Sequence, residues 1–206
     1  MATRIHPTAL IEDAVEIGDG TAVWDNVHIR GPAKIGADCI VGEKTYIAYD
    51  VAIADRVKIN ARVYICAGVT IQSGVMLSAG VIFTNDRFPR ATTPDLAELR
   101  PSEPDEDTLD TLVREGATIG AGAVIGPGLE IGRFAMIGMG SVVTRSVGDF
   151  QLVLGNPARL MGAVCRCGEP VAKRDEHGTI PDGQVTCHRC GRVYMIESGS
   201  VTEVHA

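Results

Sequence analysis

The sequence predicts an all-β fold, a solenoid of short strands wound as a triangular prism, and three observations carry that reading. Apolar residues recur at every sixth position: Ile5, Ile11, Ile17, Val23, Ile29, Ile35, Val41, Ile47, Ile53, Ile59, Ile65, Ile71, Leu77 and Phe83. The series resumes in phase at Val113, Ile119, Ile125, Ile131, Ile137 and Val143. The position four residues after each of these is mostly small or β-branched, from Val15, Thr21 and Val27 to Ala123, Ala135 and Ser141. Aromatics are scarce (4%) while glycines number 24, which suits a narrow aliphatic core with many turns. A six-residue period fits neither a helix nor strict strand alternation, and short repeats decide a fold before other signals do.

Three hexads close one 18-residue coil, so residues 18 apart stack. Ile11, Ile29, Ile47, Ile65 and Phe83 then form one interior column. Twenty hexads give about 6.7 coils, a prism of roughly 30 Å at ordinary strand spacing. Each coil buries its apolar residues only against its neighbours. Glycine often follows the inward residue, as at Gly18, Gly36, Gly42, Gly120, Gly126, Gly132 and Gly138. Glycine tolerates positive φ, so these positions are expected to turn the corners.

The repeat runs over about 5–84 and 113–148. Between them, Pro89, Pro94, Pro101 and Pro104 stand in an acidic stretch without hexad apolars, so residues 84–112 are expected to leave the coil as a long loop. Such loops are usually functional or disordered. After Val147 the repeat fades, which divides the chain into a prism domain, 1–162, and a small Cys-bearing tail, 163–206.

The net charge of −7 argues against general nucleic-acid or anionic-membrane binding. No apolar run approaches membrane-spanning length. The opening MATRIHPTAL lacks a signal-peptide apolar region, so a cytoplasmic setting is expected, with the six cysteines as thiols or metal ligands. Four of these lie in the tail. Cys165 and Cys167, then Cys187 and Cys190, form C-x-C and C-x-x-C pairs, each followed by glycine, and resemble zinc-ribbon knuckles. Four thiolates at such spacing suit tetrahedral structural zinc, and a tail too short for its own core gains stability from a metal. The first pair is one residue short of the usual spacing, leaving His177 or His188 open as substitute ligands. Cys39 is expected in the core and Cys66 on the outer surface.

The (Ile/Val)-Gly-x-x-small-x hexads resemble the hexapeptide-repeat acyltransferases, which fold as a left-handed parallel β-helix. The segments VWDNVHI (23–29), VIFTNDRFPR (81–90), VREGATIGAGAVI (113–125), VVTRSV (142–147) and GNPARLMG (155–162) are similar to those of the N-acetyltransferases that modify nucleotide-linked amino sugars. The resemblance covers about residues 5–162. It implies a homotrimer with composite sites between prisms and an acyl-CoA donor, usually acetyl-CoA.

Acyl transfer to an amine needs a neutral nitrogen aimed at the thioester carbonyl, and a proton acceptor. The resemblance gives Asn85 contact with the substrate amine; an amide can position the nitrogen but cannot remove a proton. The competing reading is an Asn that starts a turn. Of the five histidines, His177, His188 and His205 lie in the tail and His6 in the first coil. His28 ends a hexad, faces outward, and is the second catalytic candidate, against a structural interface role. Arg90 matches the Arg of the family's PR pair and suits a substrate phosphate, unless the loop's carboxylates pair with it. Lys44 and Arg62 should stack on one outer edge. Arg145 and Arg159 match basic positions near the CoA nucleotide, and Gly120 and Gly138 could offer backbone groups to pantetheine. An O-acetyltransferase on a sugar or serine-like hydroxyl is the alternative enzyme, and a non-enzymatic scaffold the alternative outside catalysis.

Overall fold

The computed structural model describes residues 2–204; Met1, His205 and Ala206 lie outside the described residues. The chain is all-β, with no helix among those residues. It winds as a parallel β-solenoid with three faces. The first face runs from Arg4–Ile5 through Ala22–Val23, Ile40–Val41, Lys58–Ile59, Met76–Leu77, Thr118–Ile119 and Met136–Ile137 to Gln151–Gly155. The second runs from Leu10–Ile11 through His28–Ile29, Tyr46–Ile47, Tyr64–Ile65, Ile82–Phe83 and Val124–Ile125 to Val142–Val143. The third runs from Val15–Ile17 to Glu130–Ile131.

Register follows the 18-residue coil: Ile11 pairs Ile29, Ile29 pairs Ile47, and Ile47 pairs Ile65. Across the loop the offset becomes 42, with Phe83 pairing Ile125 and Val69 pairing Thr111. The loop therefore inserts 24 residues into one coil (42 less 18), four hexads, and the repeat keeps its phase.

Ile29, Ile47, Ile65, Phe83 and Ile125 are fully buried, as the six-residue period requires. Each such side chain contributes about 1.5–3 kcal/mol relative to exposure. The fourth position is buried too, and its polar members are satisfied. Thr21 Oγ1 donates to Gly36 O at 2.7 Å, Thr45 Oγ1 to Asn60 O at 3.2 Å, and Cys39, in the core as expected, donates its thiol to Ala54 O at 3.2 Å.

The corners differ from the sequence expectation. Positive φ falls three residues after the inward residue, not one. Lys44 (58°), Asp50 (52°) and Arg62 (57°) adopt it as readily as Gly74 (72°). The glycines at the first position are needed for a different reason. A Cβ on Gly42 would stand 2.6 Å from Asn60 C, and one on Gly120 2.5 Å from Met139 N, so the bare Cα lets the next coil approach.

The solenoid ends where Gln151–Gly155 turns back antiparallel onto Ala158–Val164, a strand running through the junction at residue 162. Pro170–Lys173 extends that sheet, and Gly183–Thr186, Val193–Glu197 and Ser200–Val204 form a separate antiparallel sheet. Phe150, Ala163, Ile180, Tyr194, Ile196 and Val201 make a second core between the last coil and the tail. No helix of the described residues is long and apolar enough to cross a membrane.

Candidate functional site

Outward residues of the second face stack in the same register as the inward ones. His28 pairs Tyr46 and Tyr46 pairs Tyr64. The Tyr46 and Tyr64 rings lie parallel with centroids 5.3 Å apart, and His28 meets the edge of Tyr46 at the same distance. On the coil before, Glu12 Oε1 takes a hydrogen bond from His28 Nε2 at 2.8 Å and lies 3.5 Å from Arg30 Nε. The hydrogen bond to His28, foremost, holds the Glu12 carboxyl below its ordinary value. His28 is thus outward, as its hexad position predicts, and oriented by a carboxylate.

The 84–110 loop is an ordered arm. Leu109 N donates to Asn85 O at 2.8 Å, Arg87 N to Asp107 O at 3.0 Å, and Arg100 N to Ala91 O at 3.0 Å, so its two halves run antiparallel. The arm leans over the second face and encloses a cavity of about 240 Å³, lined by Tyr46, Tyr64, Cys66, Asn85, Arg90 and Arg100 among others. Asn85 and Arg90 are therefore brought to one cavity. His28 stands three coils from Asn85 on the same face, roughly 14 Å at ordinary strand spacing, next to Tyr46 and Arg30 at the cavity's far end.

Asn85 Nδ2 donates to Ala67 O at 3.3 Å. A backbone carbonyl only accepts, so this bond directs Nδ2 to the wall and Oδ1 away from it. Arg90 is exposed, makes no ion pair among the described residues, and donates to Pro89 O at 2.9 Å. The arm's ion pair is instead Arg100 with Asp105, at 2.8 Å.

Cys66 is buried, 4% exposed, which corrects its expected outward position: the arm covers the corner on which it lies. Burial pushes its thiol up to about 12, so it is no nucleophile at neutral pH.

The other candidates divide by location. Lys44 and Arg62 are exposed corner residues one coil apart, as their spacing predicts. Gly120 and Gly138 stack, but their backbone is already engaged. Gly120 N donates to Ile137 O and Gly138 N to Val153 O, while their carbonyls accept from Ala123 and Ser141. Arg145, after the last strand of the second face, and Arg159, on Ala158–Val164, are exposed.

The sulfurs of Cys165, Cys167, Cys187 and Cys190 all lie within 4.8 Å of one another. His177 and His188 are outside this cluster and stand beside Glu176 and Glu169 instead.

Glu12, Tyr46, Tyr64 and Arg100 escaped the sequence reading. The first three carried a signal: His28, Tyr46 and Tyr64 are 18 apart, and Glu12 lies 16 before His28, one coil less two residues. Arg100 carried none, since the arm has no repeat.

The family model described as bacterial transferase hexapeptide (six repeats) matches residues 14–49 and 110–145, on either side of the arm. A dTDP-3-amino-3,6-dideoxy-alpha-D-galactopyranose 3-N-acetyltransferase from Aneurinibacillus thermoaerophilus is 39% identical over 94 residues, 46% of this chain and 45% of that protein. An acyl-[acyl-carrier-protein]–UDP-N-acetylglucosamine O-acyltransferase from Brucella ovis is 51% identical over 37 residues, 18% of this chain and 13% of its own. The similarity thus spans less than half the length of these curated relatives. Among solved structures, a variant of an N-acyltransferase from Bacillus cereus, in complex with dTDP and coenzyme A, superposes with a TM-score of 0.54 at 20% identity, over 81% of this chain and 84% of its own.

Proposed function

We propose that this chain, a member of the bacterial transferase hexapeptide-repeat family, is an acyl-CoA-dependent N-acyltransferase, with acetyl-CoA as donor, that acts on the amino group of a nucleotide-linked amino sugar. The orientation of Asn85 carries the reading. With Nδ2 tied to Ala67 O, Oδ1 is the atom left to accept an N–H from a substrate in the cavity. That hydrogen bond aims the nitrogen lone pair at the thioester carbonyl. The C–N bond forms, the C–S bond breaks, and the amine proton leaves with the CoA thiolate or to water. The N-acetyltransferase relative, which acts on a dTDP-linked amino sugar, supports the same substrate class.

Arg90 has no carboxylate partner among the described residues and is the cation offered to the substrate phosphates. Arg145 and Arg159 serve the CoA phosphates. Gly120 and Gly138 give CoA a surface without side chains rather than free hydrogen-bonding groups, because their amides are engaged. The cavity, at about 240 Å³, is smaller than the ~300–1,000 Å³ of usual ligand pockets, as suits a site completed by a second copy. Phe88, Leu96 and Leu99 on the arm and Tyr64 and Ile82 on the second face are exposed apolar side chains, which fits a homotrimer that covers them. Six cysteines without disulfides, four of them grouped as metal ligands, fit a reducing, cytoplasmic setting.

The Glu12–His28 pair favours a second reading, O-acyl transfer, since a hydroxyl needs a real base and an oriented imidazole supplies one. The test is thiol release from acetyl-CoA with 3-amino and 4-amino nucleotide sugars and their hydroxyl counterparts. Release with an amino sugar alone is expected. Release with the hydroxyl forms alone selects the second reading. No release with any acceptor, and no CoA binding by calorimetry, ends both.

A further inference from the structure

The tail carries a cluster of sulfur atoms that acyl transfer does not use. Cys165 Sγ and Cys190 Sγ are 3.3 Å apart, and Cys167 Sγ and Cys187 Sγ 3.7 Å. These separations are far longer than the ~2.05 Å of a disulfide. Four sulfurs placed ~2.3 Å from one metal ion at tetrahedral angles stand about 3.8 Å from each other, so this cluster has the dimensions of a tetrathiolate shell.

The backbone around both pairs is wound for the same purpose. Cys165 N donates to Glu169 O and Gly168 N to Cys165 O; in the other pair, Cys187 N donates to Arg192 O and Gly191 N to Cys187 O. Each bond in the first pair spans one residue fewer than its counterpart in the second. The C-x-C pair is therefore the same knuckle, shortened by one residue, and it reaches the cluster without a histidine substitute.

The cluster is also joined to the solenoid. Tyr194, fully buried, donates its hydroxyl to Cys165 Sγ at 3.1 Å and accepts from Arg166 N at 3.0 Å. The Arg166 guanidinium lies 4.3 Å from the ring centre of Phe134, a corner residue of the last coils, and 3.9 Å from Glu115. Phe150 fills the space between, 5.6 Å from Phe134 and 5.2 Å from Tyr194 between ring centres.

We infer that Cys165, Cys167, Cys187 and Cys190 bind one zinc ion as a closed structural centre, and that this ion fastens the tail to the end of the solenoid. A donor set of four thiolates selects zinc or iron among common metals, and a short tail that shares only a small core with the last coil gains stability from such an ion. Four protein ligands leave no open position, so the ion takes no part in acyl transfer. The Tyr194 hydroxyl steadies one ligand sulfur from the outer shell, and Arg166, on the Cys165–Cys167 knuckle, transmits the ion's rigidity to Phe134.

The test uses the full chain purified without chelator. Elemental analysis should give about one zinc per chain and a colourless protein. Replacement by cobalt(II) should produce the visible bands of tetrahedral thiolate coordination. With the metal bound, the four tail thiols should resist Ellman's reagent; after extraction with a mercurial and EDTA they should all react. Limited proteolysis should then cut within 165–204 at least tenfold faster, while 2–150 stays intact. Cys187→Ser with Cys190→Ser should reproduce the metal loss and the cleavage pattern. Iron with visible absorption in the native protein would overturn the zinc assignment. Substoichiometric metal with freely reactive thiols would overturn the centre, and unchanged proteolysis after extraction would overturn the fastening role.

Discussion

Glu12 and His28, on adjacent coils of the second face, share a hydrogen bond of 2.8 Å between Oε1 and Nε2. The bond engages Nε2 and orients the ring. In the O-acyl reading His28 takes the hydroxyl proton and Glu12 positions it, so the two residues act as a unit. Glu12→Gln should then lower kcat about tenfold and His28→Ala at least as much, with the double variant no worse than His28→Ala. Steady-state thiol release measures all three. Full activity in His28→Ala would leave the pair a purely structural contact.

The same pair has a pH signature in stability. The Glu12 carboxyl is held below its ordinary value of 4.5, first by the hydrogen bond from His28. A depressed carboxyl stabilises the fold above its unfolded value and loses that contribution as pH falls through its folded value. Wild type should therefore melt above Glu12→Gln at pH 7, and the gap should narrow as pH falls below 4.5 toward the lowered folded-state value. Thermal melts of the two proteins across that range are the measurement, and a gap that widens in acid would contradict the sign.

Asn85→Ala should reduce turnover about 100-fold or more, the usual cost of removing a group that stabilises or aims the reacting centre, while the oligomer stays intact by light scattering. Asn85→Asp replaces the Nδ2 donor with a second acceptor facing Ala67 O, so it should be as impaired as the alanine variant. An aspartate variant near wild-type activity would show that the Ala67 bond does not set the amide's orientation.

The two classes of glycine, one at the corner and one at the inter-coil approach, offer a stability comparison. A Cβ on Gly42 would meet Asn60 C at 2.6 Å, whereas Gly122, at φ 67°, has nothing within 4 Å. Gly42→Ala therefore overpacks the gap between coils, at about 1–3 kcal/mol. Gly122→Ala carries only the left-handed backbone cost, about 1–2 kcal/mol, so chemical denaturation should place Gly42→Ala below Gly122→Ala.

These two glycine classes show where the sequence was legible. The inward column, the coil length and the place of the arm follow from a period visible in every hexad. The left-handed corner does not, because Lys44, Asp50, Arg62, Phe134 and Gly74 all occupy it and no residue type marks it. The glycines one residue after the inward position answer to the approach of the next coil, a tertiary demand that a single repeat does not display. The site divides in the same way. His28 faces outward as its hexad position requires, and its Glu12 partner becomes visible once the coil is known to be 18 residues long. The burial of Cys66 stayed hidden because the arm that covers it has no periodicity, and its course depends on contacts such as Leu109 N to Asn85 O.

The arm itself can be removed cleanly. Elsewhere on this edge three residues join the second face to the third, as Ala48, Tyr49 and Asp50 join Tyr46–Ile47 to Val51–Ile53, with Asp50 at φ 52°. Excision of residues 85–108, 24 in all, leaves Thr84, Leu109 and Asp110 between Ile82–Phe83 and Thr111–Val113. Asp110 then stands three residues after Phe83, where Asp50 stands after Ile47, and an aspartate already tolerates that corner two coils below. The shortened chain should keep its β-type circular dichroism and cooperative melt. It should lose turnover, because Asn85 and Arg90 leave with the arm. Cys66 reports the uncovering directly. Burial lifts its thiol from 9.0 to about 12, which cuts the reactive thiolate at pH 8 about a thousandfold. Peptide-resolved alkylation at pH 8 should find Cys66 unlabelled in the intact protein and labelled in the excised one. Equal labelling of both proteins would mean that the arm does not cover the cavity.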